Sequence, residues 1–197
     1  MAYICLPCEY CNKYHNSRDC PLEKQLAPFM RKIVGLYMEQ FVADEIYCPR
    51  CNNKSLNPLG THAPSLDIIC STCNTKFEIK SKCMSSNKIP KDLNFNHGNY
   101  NDYINRQNNG LDIMLILYSV CRKTKIIKIR HVFYVKNEDI INKKSIQVIK
   151  KYQSSLSEIT VQDYTKLPEI IFNQKFCYDF SDNINSIIST ARQLYVY

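Results

Sequence analysis

The sequence has no apolar run long enough to cross a bilayer, although 45% of its 197 residues are hydrophobic. A membrane-spanning helix needs about 20 consecutive, predominantly apolar residues, so no transmembrane segment is expected. The first residues, MAYICLPCEYC, lack the basic region followed by an apolar stretch that marks a secretory signal peptide. There is also no long linker. We therefore expect an intracellular, cytoplasmic protein with one domain of ordinary size and a small appendage.

Eleven cysteines dominate the composition. In a small secreted chain they would indicate disulfides, but here their clustering into Cys-x-x-Cys pairs favours metal thiolates. The formal net charge is +8, and it stays positive after the charges of two thiolate metal sites are counted. This excess is consistent with a polyanionic partner such as nucleic acid.

Two Cys-x-x-Cys pairs lie in the middle of the chain, with eighteen residues between them. The first pair is Cys48 and Cys51, and the second is Cys70 and Cys73. Thiolates at positions i and i+3 bind one ion when the chain turns tightly between them, and four such ligands make a closed tetrahedral zinc site. We call this group the cysteine clip, and we expect it to hold a structural zinc ion across residues 48–73.

A second group of candidate zinc ligands lies in residues 1–22. They are Cys8, Cys11, His15 and Cys20. Their pattern, C-x2-C-x3-H-x4-C, resembles the CCHC zinc knuckle, with one residue fewer between the second Cys and the His. Cys5, three residues before Cys8, is an alternative ligand. We expect a small N-terminal knuckle at 1–22, followed by the main domain at 23–197.

The pattern after Leu22 is that of an amphipathic helix, with apolar residues at three- and four-residue intervals as far as Phe41. Residues 111–120 form a nearly continuous apolar run, which suits a central strand covered on both faces. Before it, a polar loop and a short helix stopped by Gly110 are expected.

Residues 126–135 predict the next strand, in which strict alternation would put His131 on the same face as Ile127 and Ile129. Further along, residues 167–172 predict a short strand. Ser181 is expected to cap a last helix.

The segments on either side of the second cysteine pair predict a β-hairpin. Residues 65–69 and 75–80 both read as strands, and the cysteines would lie at the turn between them. In a strand, side chains alternate between faces, so Glu78 and Lys80 share one face while Phe77 occupies the other. If the strands pair across the turn, Asp67 joins Glu78 and Lys80 on one surface.

Two carboxylates and a lysine suit the hydrolysis of a phosphodiester. Asp67 and Glu78 can bind a hard divalent ion such as Mg²⁺, which accepts phosphate oxygens and lowers the pKa of a bound water. Lys80 can orient or deprotonate that water and offset the negative charge that develops in the transition state. The ordinary alternative is a surface ion pair between Glu78 and Lys80.

An Asp followed on a hairpin by Glu-x-Lys resembles the signature of the PD-(D/E)XK nuclease superfamily, with Leu66 in place of its usual Pro. A longer stretch is similar to the catalytic domain of the DpnI-type, methyl-directed restriction endonucleases. It includes YCPRC, LDIICSTCNTKFEIKSK and HGNYNDYINRQNNG, together with EQFV upstream. The N-terminal knuckle is an addition to that family pattern.

The resemblance implies a restriction-endonuclease-like α+β fold, with a mixed sheet flanked by helices and an embedded four-cysteine zinc ribbon. It implies that Asp67 and Glu78 bind Mg²⁺ and that Lys80 is catalytic. It adds Glu39 as a further acidic residue of the site, although its helical position suggests an ordinary solvated charge. The implied activity is Mg²⁺-dependent endonucleolytic cleavage of DNA, of a restriction or methyl-adenine-directed type.

Two other functions fit the same residues. One is a zinc-ribbon protein that binds nucleic acid without catalysis, for packaging or transcription, in which the basic segments contact phosphates. The other is a nuclease for RNA or single strands, which the knuckle suggests because such modules contact single-stranded nucleic acid.

Overall fold

The computed structural model describes residues 34–59, 66–84, 92–99, 105, 108–121, 126–141, 146–150, 156–162, 167–172 and 177–179. Within these ranges the chain forms a mixed sheet, a smaller antiparallel sheet and few helices, which is the expected α+β class. The predicted N-terminal knuckle and last helix lie outside the described residues. In the described ranges, no helix has the length and apolarity that a membrane span requires.

In the part of the chain that the structure describes, the larger sheet has six strands in the order β1-β2-β3-β5-β6-β9. These are β1 Leu56–Pro58, β2 Ile68–Cys70, β3 Lys76–Cys83, β5 Asp112–Cys121, β6 Ile126–Val135 and β9 Cys177–Asp179. β3 and β5 run parallel, and every other neighbouring pair in this sheet is antiparallel. The two predicted hairpin strands are therefore confirmed as β2 and β3.

The smaller sheet is antiparallel, in the order β4-β8-β7. Its strands are β4 Asp92–Asn99, β8 Leu156–Gln162 and β7 Ile146–Lys150. The loop predicted from the polar composition is wrong for residues 92–99. The signal for that strand is the period-two placing of Leu93 and Phe95 between asparagines, which the many turn-forming residues mask.

The first described helix, α1, covers residues 34–45. Val34, Met38, Phe41 and Val42 are buried and follow the i, i+4, i+7, i+8 spacing of one helix face. This face packs on the larger sheet in a single core cluster with the β2 residue Ile68. The ring of Phe41 lies edge-on to that of Phe172, with 5.5 Å between centroids. The amphipathic helix predicted here is confirmed for its described part.

Strand β5 is the centre of the sheet. Every residue from Leu111 to Leu117 is buried, as expected for a strand covered on both faces. Before it, the amide of Asn109 donates to the carbonyl of Asn105 (3.2 Å), and Gly110 follows with φ of 77°. This left-handed conformation, which glycine adopts without strain, ends the helical turn.

The prediction that His131 shares a face with Ile127 and Ile129 is wrong, because β6 contains a β-bulge. Leu117 pairs with His131 whereas Tyr118 pairs with Ile129, so the register shifts by one residue at Arg130. A bulge of this kind reverses the alternation beyond it. Ile129 thus faces the core with Val132, and His131 stacks on Phe133, with 5.8 Å between ring centroids.

Two short segments adjoin β6, one in space and one along the chain. Residues 167–172 contact β6 through an isolated bridge between Phe133 and Glu169, so the short strand predicted there is reduced to a single bridge. A five-residue helix, α2, is Asn137–Ile141 and follows directly after β6.

Replacing Phe41 with alanine tests this packing. The ring is completely buried between α1 and the sheet, so Phe41→Ala should lower the free energy of unfolding by about 3–5 kcal/mol. Chemical denaturation with a structural metal retained would measure it. Leu36→Ala, on the exposed side of the same helix, is the matched control. Equal losses for the two variants would contradict the packing described.

Candidate functional site

The four central cysteines come together in space. The Sγ atoms of Cys48, Cys51, Cys70 and Cys73 all lie within 4.8 Å of one another. Cys48 is 3.7 Å from Cys73, and Cys51 is 3.6 Å from Cys70, sulfur to sulfur. These distances are far longer than a disulfide bond of about 2.05 Å. The cysteines are therefore positioned to hold a metal ion.

The spacing of the sulfur atoms suits a tetrahedral site. With metal–sulfur bonds of about 2.3 Å, as for zinc, the ligand atoms of a regular tetrahedron are about 3.8 Å apart. The observed separations of 3.6 and 3.7 Å agree with this geometry. Soft thiolates are also the ligands that zinc prefers in closed sites.

The two Cys-x-x-Cys turns have the same local geometry. In each, the residue after the second cysteine donates its amide to the carbonyl of the first at 2.8 Å: Asn52 to Cys48, and Asn74 to Cys70. Both asparagines have positive φ, 55° and 57°, which Asn tolerates better than most residues. The repeated sequence Cys-x-x-Cys-Asn is a signal for these turns.

Hydrogen bonds support the sulfur atoms. Ser55 Oγ lies 3.1 Å from Cys70 Sγ, and Thr75 Oγ1 lies 3.1 Å from Cys73 Sγ. Burial acts to raise the pKa of Cys70, but hydrogen bonds from the Ser55 hydroxyl and from the amides of Cys73 and Thr72 outweigh it and lower the pKa to about 6. Donors of this kind orient metal ligands and favour their thiolate form.

The second cysteine pair is the turn of the β2–β3 hairpin. Ile68 pairs with Phe77, and both are completely buried. Asp67 therefore falls on the opposite face of the sheet from Ile68, where Glu78 also lies. The Asp67 amide donates to the Phe77 carbonyl at 3.3 Å. Its Oδ2 accepts the amide of Ile79 at 2.7 Å. This β3 amide is therefore bound by a side chain and not by a backbone carbonyl of the neighbouring strand.

Glu78 and Lys80 are neighbours on that face. Lys80 Nζ lies 2.6 Å from Glu78 Oε1. Only 4% of the Glu78 side chain and 19% of the Lys80 side chain are exposed, so this is not the solvated surface pair of the ordinary alternative. A charged group so poorly hydrated needs a close counter-ion, and Lys80 supplies one.

Glu39 is the residue whose environment the sequence pattern did not predict. It lies on α1, half-buried, close enough to Asp67 for the charges to interact. Burial raises the pKa of Glu39, and repulsion by Asp67 adds to the effect, bringing it to about 7. A helix residue expected to be solvated is therefore half-buried and within electrostatic reach of the hairpin carboxylate.

The three carboxylates are more widely spaced than the cysteines. Among the described residues, the cysteine clip is the group of three or more potential ligands whose atoms lie within 4.8 Å of one another, and Glu39, Asp67 and Glu78 are not gathered so closely. The second predicted zinc group, Cys8, Cys11, His15 and Cys20 with Cys5, lies outside the described residues.

A family model described as DpnI, the Dam-replacing family, matches residues 22–154, well over half of the chain. The match includes the cysteine clip, the hairpin residues Asp67, Glu78 and Lys80, and Glu39. It begins two residues after Cys20, the last candidate ligand of the N-terminal knuckle. A restriction-endonuclease-type domain is thus supported by the family and by the α+β fold.

Removing one ligand of the cysteine clip should release its metal. Cys73→Ser is expected to lose one metal ion per chain, since a neutral serine hydroxyl is a far poorer ligand than a thiolate at neutral pH. Elemental analysis of dialysed protein measures this, and the thermal midpoint should fall as well. Cys83→Ser, which changes an exposed cysteine outside the clip, should keep the wild-type metal content. Unchanged metal in Cys73→Ser would contradict the ligand set.

Glu39 should make stability depend on pH. Its pKa of about 7 in the folded chain exceeds the ordinary 4.5, so the folded state holds this proton more tightly than the unfolded state. Ionising it therefore destabilises the fold as pH rises from about 4.5 to 7. Without added divalent cations, Glu39→Gln should be more stable than wild type at pH 8 and equal to it near pH 4.5.

Denaturation at several pH values gives this difference directly. Glu45→Gln, which removes the same charge from the same helix, controls for net charge. A Glu39→Gln difference that does not grow with pH would contradict the raised pKa.

Proposed function

Since the chain belongs to the DpnI, Dam-replacing family, we propose that it is a Mg²⁺-dependent endonuclease that hydrolyses phosphodiester bonds of DNA. Family membership supports a nuclease that acts on modified DNA. The observation that carries the proposal for this chain is the buried Glu78–Lys80 pair beside Asp67, on a hairpin whose turn belongs to the cysteine clip.

We assign zinc to the cysteine clip in a structural role. Four thiolates leave no coordination position for substrate or water. A zinc ion held there would instead close the hairpin turn, because Cys70 and Cys73 flank this turn and Cys48 and Cys51 come from the preceding one. A second zinc ion at the N-terminal CCHC-like knuckle remains part of the proposal from its ligand spacing.

Asp67 and Glu78 would hold the magnesium ion, with Glu39 beside them. Carboxylate oxygens are the hard donors that Mg²⁺ takes, and this ion keeps several waters and needs only one or two carboxylates. That preference fits acidic groups spaced more widely than the cysteines. Burial raises the pKa of Glu39, and repulsion by Asp67 adds to the effect; a cation would offset the repulsion. When bound, the ion would polarise the scissile phosphate and acidify a water.

The hairpin residues themselves do the remaining work. The Ile79 amide fixes the orientation of the Asp67 carboxylate through a 2.7 Å hydrogen bond. Glu78 holds the Lys80 ammonium at 2.6 Å, in a partly dehydrated position where its charge acts strongly. Lys80 then orients the attacking water and stabilises the negative charge that forms on the phosphoryl oxygens.

The proposed substrate is taken from the family. A restriction-type enzyme directed to methylated adenine in duplex DNA is the leading form. A non-catalytic zinc ribbon would need no buried Glu–Lys pair. In a nuclease for RNA or single strands, the N-terminal knuckle would contact the substrate. Cytoplasmic DNA would be the partner.

Replacing Lys80 with alanine is the central test. Lys80→Ala should reduce the cleavage rate at saturating Mg²⁺ by about 100-fold or more, since it removes transition-state charge stabilisation. Lys76→Ala is the matched control, because Lys76 lies exposed on the same face of the same strand, nearer the clip. One plasmid, prepared with and without adenine methylation, serves as substrate, beside single-stranded DNA and RNA. Circular dichroism and zinc content check folding.

The outcomes separate the candidate functions. The proposal is supported if the wild-type protein cleaves methylated plasmid with Mg²⁺ but not with EDTA, and if Lys80→Ala does not cleave it. Cleavage confined to RNA or single strands would replace the substrate. Nucleic-acid binding without cleavage, unchanged by Asp67→Ala, would favour the non-catalytic zinc ribbon instead.

A further inference from the structure

Arg50 connects the cysteine clip to the centre of the sheet. It lies between Cys48 and Cys51, and its backbone amide donates a hydrogen bond to the Cys48 sulfur. Its guanidinium reaches Asp112, the first residue of β5, sixty-two positions later: Nε to Oδ2 is 2.8 Å and Nη2 to Oδ1 is 2.9 Å. One residue thus contacts both a metal ligand and a central strand.

Asp112 is a completely buried carboxylate with four hydrogen bonds. Besides the two from Arg50, Oδ2 accepts the Tyr134 hydroxyl at 2.6 Å and Oδ1 accepts the Asn137 amide at 2.8 Å. Glu138 contacts the outer side of the guanidinium at 3.0 Å. We call these five residues the Asp112 network. A buried charge with such partners is strongly destabilised when one partner is removed.

The Asp112 network lies directly beside the catalytic hairpin. Asp112 pairs with Phe77 in the parallel β3–β5 ladder, and the next pair is Glu78 with Ile113. Strand β3 is therefore held on both sides by elements tied to the metal ligands. On one side β2 ends at Cys70, and on the other β5 begins at Asp112, which Arg50 fixes to the clip.

We propose that Arg50 is a positioning residue that couples metal binding in the cysteine clip to the placement of Glu78 on β3. A closed clip fixes the turn that carries Arg50, and the fixed guanidinium docks the start of β5 against β3. Thermodynamic reciprocity requires the converse: docking of Asp112 must strengthen metal binding. The part of the inference that concerns catalysis rests on the proposed nuclease function.

The geometry favours this role over simple charge balance. Arg50 presents two donors to two oxygens, a fork that lysine cannot reproduce. The hydroxyl of Tyr134 and the amide of Asn137 complete the set of donors to this carboxylate. Asp112 therefore accepts from one cationic side chain and two neutral donors, while Glu138 contacts the same guanidinium.

Two substitutions test the coupling without removing a cysteine. Arg50→Lys keeps the charge and loses the fork, while Asp112→Asn keeps the shape and touches no sulfur atom. Each should accelerate release of zinc to a chromogenic chelator by about 10-fold or more, the usual scale for groups that support metal ligands. Lys54→Gln, an exposed cation just outside the first cysteine turn, should leave release unchanged.

Hydrogen exchange and kinetics distinguish coupling from general loss of stability. Exchange should accelerate in residues 76–83 and 112–117 while α1 stays protected. Against DNA, the variants should lose kcat at saturating Mg²⁺ and keep KM. The double variant should release zinc no faster than the worse single variant, because both act on one contact.

Each outcome decides the proposal. Zinc release at the wild-type rate in Asp112→Asn, or exchange that accelerates equally throughout the chain, would overturn it. If the wild-type protein cleaves no nucleic acid, only the proposed nuclease function is contradicted. Zinc release and hydrogen exchange still test the coupling. Retained kcat in variants that release zinc quickly would restrict Arg50 to the clip and overturn its role at Glu78.

Discussion

The register of the β2–β3 hairpin is the constraint on which the candidate site depends. Ile68 opposite Phe77 turns both apolar side chains toward α1 and leaves Asp67 and Glu78 on the other face. A slip of one residue would reverse both sets, placing carboxylates in the core and exposing Phe77. Two independent forces specify the same register: burial of the apolar pair, and the tight turn between Cys70 and Cys73. This agreement explains how a hairpin with a three-residue first strand holds charged groups at fixed positions.

The cysteine clip is part of the hydrophobic core as well as a ligand set. Cys48 and Cys70 are completely buried in the same cluster as Phe41, whereas Cys73 is exposed. The proposed metal would therefore bond at once to the core and to the surface turn. Strand β1 is only three residues long, and its Leu56 pairs with Cys70. A metal ion on Cys70 would therefore also stabilise this short strand. The acidic residues of the site lie on elements that this core fixes, α1 and the hairpin.

Local patterns predicted much of this arrangement, and long-range contacts account for what they missed. The spacing of Cys48, Cys51, Cys70 and Cys73 is short-range information, and so is the alternation that puts Glu78 beside Lys80. The approach of Glu39 to Asp67 depends on how α1 crosses the sheet, and the contact of Arg50 with Asp112 joins residues far apart in sequence. The bulge at Arg130 leaves no mark in the pattern of β6, because its residues are apolar at both ends. Family resemblance placed Glu39 near the site where periodicity alone assigned it to solvent.

The sequence separations in this sheet have a consequence for how the chain is made. Residues 48–73 carry every ligand of the clip, and Asp112 follows the last of them by 39 positions. Because synthesis proceeds from the N-terminus, all four cysteines emerge before β5 does, and the clip can close on a metal ion first. The entropy of closing its eighteen-residue loop is modest. Arg50 is then already oriented when β5 reaches the sheet, and the buried carboxylate meets its partner as it leaves water.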